Sequence, residues 1–370
     1  MVSSELLTVA VGASEPRPAP AIFLDCLRQV RVTRTESGRS AFQLAFALPP
    51  VDQLGQVAAD DFDLFNRVLL SATVNGAPTT LIDGVTTHRE LTSDGGTTGT
   101  VVTLTGEDLT VVMDREERSA EYPAHSEEMI VKSILDRYAR YGIRANVVSP
   151  PTSSAPPEDE RIPVQQSTDL ACLLDLAARH DYVFRIDPAT DSAPATAYWG
   201  PRRTSLPRVD RPLSFTPDFP TAERLSVRVD GLRPVEVTGT TQDPETGGTV
   251  AVSAVGLSGQ RGPGVPIWET YRAHLRTERY RSSGPNAADA TAWAAGRAAS
   301  TAEAVSLTGR TQTHLIGALL PVPGIVDVAG AGWAHDGEYR ITQVTHTISR
   351  AENLHLQDFT LSRSGLAGER

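Results

Sequence analysis

The chain has 370 residues, 40% of them apolar, with 34 basic against 45 acidic side chains and a formal net charge of −11. That length exceeds one ordinary core and implies two or three domains, while an acidic chain without a basic cluster excludes general nucleic-acid binding. No apolar run is long enough to cross a bilayer as a helix, and the isolated Cys26 and Cys172 provide neither a zinc motif nor a disulfide framework.

Residues 1–20, "MVSSELLTVAVGASEPRPAP", lack the basic region of a secretory signal and read as a flexible arm, so a cytoplasmic location is expected. Residues 21–115 read as a first β domain. "LRQVRVTRT" and "AFQLAFAL" alternate on either side of Ser37-Gly38, Asn75-Gly76 marks a tight turn, and "TVVTLTGEDLTVVMD" completes the set. Strands at this spacing indicate a barrel or sandwich.

An α+β insertion is expected over 116–210. Ser126 precedes two acids suited to a first helical turn, and Val131, Ile134, Leu135 and Tyr138 form one stripe before Gly142 ends the helix. After a proline-rich loop, Ser167 or Thr168 caps a second helix with Leu170, Leu173, Leu174 and Ala177 inward. "YVFRID" returns to strand.

A second β domain comprises 211–239 and 305–365, split by an insertion at 240–304. Within that insertion strands are expected in "GTVAVSAV" and "WETYRAHL", and Asn286 with Asp289 opens an alanine-rich helix through about Val305. Residues 366–370 form a tail.

The segment "DGEYRITQVTHTISRAENLHLQDFTLSRS" reads as a hairpin whose apolar phase changes along each arm. Tyr339 and Ile341 share one face, and Val344, His346 and Ile348 the other; Leu354 and Leu356 oppose Phe359 and Leu361 in the same way. Two mirrored slips predict a ribbon that passes from one packed layer to another and buries opposite faces in its two halves.

Catalytic patterns are sparse. His88 and Glu90 share one side of a strand, a pattern more often a solvated cross-strand pair than an acid/base site. Adjacent acids such as Glu116-Glu117 point apart, and His346 has no serine, cysteine or acid signature tied to it, so it reads as a structural histidine. Neither a cofactor nor a metal site is indicated. A particle-borne cell-wall hydrolase using Glu90 or Glu107, or a surface-binding β module, stands as the alternative; for the latter, Trp199, Trp268, Trp293 and Trp333 are too dispersed to form a stacking platform.

Several segments, taken in order, resemble the baseplate hubs of contractile injection systems and phage tails: late control protein D and the N-terminal hub part of VgrG. The resemblance lies in "LIDGVTTHREL" followed by "VVTLTGEDLTVVMDREE", in "EEMIVKSILDRYARYGI", in "QQSTDLACLLDLAARHDYVFRID", and in "LLPVPGIVDVAG" leading to the final hairpin. It covers roughly residues 21–365, with 240–284 unmatched, and departs from the family where His180-Asp181 replaces the usual glycine.

The resemblance implies a mainly β chain with α+β insertions, in which two similar β-barrel-like tube domains form a pseudo-sixfold ring as a trimer. It further implies a non-enzymatic, virion-assembly adaptor between a hexameric inner tube and a spike, with other baseplate proteins and a tube or tube-initiator protein as partners, but no membrane and no specific nucleic acid. With no short β-repeat in the sequence, the spike is expected as a separate polypeptide. Candidate ring-wall residues are Val101, Thr103, Thr105, Tyr339, Ile341, Val344, His346 and Ile348, with the helices at 126–141 and 168–180 facing outward.

Overall fold

A computed structural model describes residues 6–13, 15–48, 63–93, 100–151, 155–159, 161–190, 193–202, 205–242, 247–256, 264–281 and 287–366. The chain is mainly β with a few helices. Its backbone is a 13-stranded sheet running Arg224–Val229, Val305–Gln312, Leu354–Arg363, Gly337–Ser349, Leu27–Thr35, Ala41–Leu48, Thr100–Asp108, Ala77–Ser93, Arg67–Val74, Leu6–Gly12 and Arg17–Pro18. Gly324–Ala329 branches from Gly337–Ser349 and pairs in turn with Leu213–Ser214.

The tight turns follow the residues that permit them. Asn75 and Gly76 both take positive φ, at 52° and 82°, in the two-residue loop between Arg67–Val74 and Ala77–Ser93. Each half of the sheet covers its own core. Phe23, Phe42, Phe46, Leu44, Leu70 and Leu104 fill the first; Leu213, Leu307, Val326, Tyr339, Ile341 and Leu361 fill the second.

A third core is built on the helices Glu127–Asp136 and Asp169–Arg179 and the small sheet of Ile143–Val147, Tyr182–Asp187 and Ala195–Pro201. Ser126 Oγ caps the first helix by accepting from the Met129 N–H at 3.3 Å; of the two candidates for the second cap, Thr168 does so, accepting from the Ala171 N–H at 3.2 Å. Along the second helix Leu176 is buried with Leu170, Leu173 and Ala177, and Leu174 packs at the margin. A fourth core joins Val235–Gln242 and Thr249–Val255 to the helix Ala287–Thr301. That helix lies on the second: a Cβ at Gly296 would stand 2.5 Å from the Arg179 carbonyl oxygen. Asn286 lies outside the described residues.

Three expectations need correction. Leu6–Gly12, assigned to a flexible arm, is a strand that pairs antiparallel with Arg67–Thr73 and buries Val9 and Val11; the alternation of "LTVAV" was outweighed by the proline, glycine and serine around it. "WETYRAHL" is not a strand: Pro266 leads into one helical turn, Ile267–Thr270, and a 3-10 turn, Arg272–His274. "LTVVM" likewise leaves the sheet as a 3-10 turn, because Asp108 caps it and accepts from the Thr110 N–H at 3.0 Å.

The final hairpin also differs. Gly337–Ser349 contains one bulge, between Ile341 and Gln343, which absorbs the phase change and leaves Tyr339, Ile341, Val344, His346 and Ile348 all buried. Leu354–Arg363 has no slip: His355, Gln357, Phe359, Leu361 and Arg363 are its buried residues, while Leu354 and Leu356 take the other face. The ribbon does pass between layers, contributing Val344 to the second core and Ile348 to the first. It does so along one face.

Candidate functional site

The two halves become one sheet where Gln343–Ser349 pairs with Gln29–Thr35 through seven residue pairs. Directly opposed residues share a face, so the registers define rows that cross the joint. One row runs Glu107, Ala41, Thr33, Thr345, Asp358, Arg310, Arg224. The next runs Thr105, Gln43, Arg31, Thr347, Leu356, Gln312, and another Thr35, Gln343, Thr360, Thr308, Ser226.

These rows make a threonine- and glutamine-rich face, continuous over both halves and opposite the cores. Two of its charge pairs are matched locally: Arg310 makes a two-pronged pair with Asp358 at 2.7 and 3.0 Å, and Arg39 reaches Glu107 at 2.9 Å, while Arg31 and Arg224 stand exposed. At the joint the Thr33 and Thr345 hydroxyls meet at 3.0 Å. Such a surface is polar, with little contiguous apolar area.

Of the candidate ring-wall residues, Thr103 and Thr105 lie on this face, and Val101 is 40% exposed. The other five do not reach the surface. Tyr339, Ile341, Val344, His346 and Ile348 are at most 7% exposed, because the bulge turns them all inward. Their strand instead presents Gln343 and Thr347 on the polar side, with Thr345 between them only 6% exposed against Thr33, residues that an apolar-phase argument passes over.

His346 does belong to a buried polar cluster. Its Nδ1 lies 3.1 Å from His355 Nε2, and burial, His355 and Arg34 hold its imidazole pKa well below the ordinary histidine value. Beside it Gln357 donates to the Thr313 hydroxyl and the Ala318 carbonyl and accepts from the Leu320 N–H, which fastens the segment 313–320 to the hairpin. No nucleophile stands in this cluster.

The motif "QQSTDL" is also structural. Asp169, fully buried at the start of its helix, accepts from Arg137 at 3.0 Å, the Tyr138 hydroxyl at 2.8 Å and Gln165 Nε2 at 2.7 Å. Gln165 in turn accepts from the Tyr122 hydroxyl at 2.6 Å. Every buried polar group in this network has a partner, which is what holds the insertion's core in one arrangement.

His88 and Glu90 both face solvent, and the nearest partner of His88 Nδ1 is the Thr87 hydroxyl at 2.9 Å. Among the described residues no group of three His, Cys, Asp or Glu side chains is arranged to hold a metal ion. No described helix is long and apolar enough to cross a membrane.

This architecture has close counterparts among solved structures. It superposes on the tail protein from Neisseria meningitidis MC58 with a TM-score of 0.64 over 99% of both chains at 14% identity. The chain has the tail-protein fold. The 43 kDa tail protein of prophage MuSo2 from Shewanella oneidensis shares it too, with a TM-score of 0.65, 14% identity and coverage of 98% of this chain and 99% of that one. So does an E. coli component of the type VI secretion system, described as structurally similar to the T4 tail proteins gp27 and gp5: its TM-score is 0.55 at 14% identity, over 91% of this chain and 73% of that chain. No protein-family model and no curated protein matches the sequence. The resemblance carried by the motifs is thereby borne out in the fold.

Proposed function

We propose that this protein is the baseplate hub of a phage tail-like or contractile injection particle: a homotrimeric, non-enzymatic adaptor between a hexameric inner tube and a spike carried by another chain. The observation that supports it best is the polar face running unbroken across two β halves. In the proposed ring, three copies present six β halves in pseudo-sixfold array, with the rows through Thr105 and Gln343 turned to the bore and Val101 placed toward a neighbouring subunit. Assembly takes place in the cytoplasm, with other baseplate proteins around the outward-facing insertions.

The shape of the surface favours an adaptor over a hydrolase. Glu107, one of the hydrolase candidates, and Asp358 are both engaged by arginines on the open face. Absolute mass by light scattering after size exclusion tests the reading. Three times the 39.6 kDa chain mass, alone or on mixing with a candidate spike protein, is expected; a strict monomer in both conditions overturns the ring.

A further inference from the structure

A cavity of about 580 Å³ lies where the first β half, the second β half and the α+β insertion meet. Its walls are of two kinds. Leu81, Leu319, Leu320 and Val322 are apolar, whereas Arg34, Arg185 and His346 supply cationic or donor groups.

The charges inside do not balance. Arg185 is 4% exposed and already engaged, donating to Asp187 at 2.8 and 3.3 Å and stacking over the Tyr198 ring at 4.6 Å. Arg34 has no ion pair among the described residues; its guanidinium makes only two long contacts, 3.4 Å each, to the carbonyls of Thr80 and Val322. Loss of solvent lowers its pKa, with Asp187 acting against that shift and Arg185 adding to it. His346 behind it is neutral and can donate or accept. Counting Arg34, Arg185 and Asp187, the cavity carries one uncompensated positive charge.

A half-buried guanidinium without an acidic partner is costly, and its planar fork matches a carboxylate or a phosphate two-pronged. The apolar lining beside it, rather than a second cation, favours the carboxylate of an aliphatic body, in a volume typical of small-ligand sites. We propose that this cavity binds an aliphatic carboxylate, with the carboxylate on Arg34 and the hydrocarbon against Leu81, Leu319 and Val322. The last residue of a partner polypeptide and a free small acid present the same chemistry.

Thermal shift and calorimetric titration of the full chain test this with N-acetyl-leucine, N-acetyl-leucinamide and acetate at constant ionic strength. Saturable binding of N-acetyl-leucine, at least tenfold tighter than the amide and acetate, is expected. It should be lost in Arg34→Gln and weakened but retained in Arg34→Lys, which keeps the charge without the fork. A peptide ending in leucine that binds tighter than N-acetyl-leucine assigns the site to a polypeptide terminus; equal affinity assigns it to a small acid. Equal binding of acid and amide, no binding, or undiminished binding by a folded Arg34→Gln variant overturns the proposal. None of these outcomes depends on whether the chain forms a trimer.

Discussion

Asp181 takes φ = 55° where the tail-hub resemblance leads one to expect glycine, a conformation that costs an L-residue roughly 1 kcal/mol. The same residue carries a carboxyl pushed up to about 6 by burial, with Arg202, 3.3 Å away, offsetting part of the shift. Because the folded pKa is above the unfolded value, the native state binds the extra proton between about pH 6 and 4, and stability from this group rises as pH falls through that window. Asp181→Gly removes both burdens at neutral pH. Its melting temperature should exceed wild type at pH 7.5 and the gap should close toward pH 4.5, a change on the order of 2–3 kcal/mol. A gap independent of pH would show that the carboxyl is not the source.

His346 works in the opposite sense. Its folded pKa is lowered, so the unfolded chain takes up the proton first and wild type loses stability as pH falls below 6.5. His346→Gln, which keeps a hydrogen-bonding group beside His355, should remove that loss. Chemical denaturation at pH 7.5 and 5.5 should show wild type dropping by about 1 kcal/mol more than the variant over this interval; parallel behaviour would mean that His346 protonates in the folded protein.

At the scale of elements, the signature glycines and acids of the motifs have packing reasons rather than chemical ones. A Cβ at Gly106 would lie 2.3 Å from the Phe42 ring and 2.4 Å from the Val85 carbonyl oxygen. Gly106→Ala should therefore destabilise by about 1–3 kcal/mol in urea unfolding, and a neutral result would mean that the Phe42 ring yields freely. Two residues on, Asp108 turns the strand into the 3-10 turn and anchors the Ser40 N–H at 2.7 Å, so "GEDL" is a stop signal. Such local signals were legible: the Asn75-Gly76 turn follows from residue type, and the second helix's cap was narrowed to Ser167 or Thr168. The hairpin was less so. A bulge at Thr342 and polar core residues such as His355 and Gln357 break the link between apolar phase and buried face, and their partners, Thr313, Ala318 and Leu320, are distant in sequence. The cavity at Arg34 was invisible for the same reason, since its walls come from segments up to roughly three hundred residues apart.

For the whole molecule the decisive feature is that two cores share one sheet. The seven residue pairs between Gln29–Thr35 and Gln343–Ser349 are reinforced by Glu36, which holds Arg340 at 2.8 Å and Arg202 at 2.9 Å and so ties the first half to the second and to the insertion. Parting the halves would expose these ladder groups and strand a buried carboxylate, so neither half should melt alone. The two faces of the joined sheet should then respond oppositely to truncation. Leu44 is fully buried in the first core, and Leu44→Ala should cost about 2–5 kcal/mol while keeping a single calorimetric transition. Its neighbour Gln43, on the polar face, should tolerate Gln43→Ala within about 0.5 kcal/mol. If Leu44→Ala instead splits the transition, the halves are independent domains joined only by their edge strands. If Gln43→Ala proves as costly as Leu44→Ala, the polar face is itself packed against something within the folded chain, and the argument for an open bore wall fails.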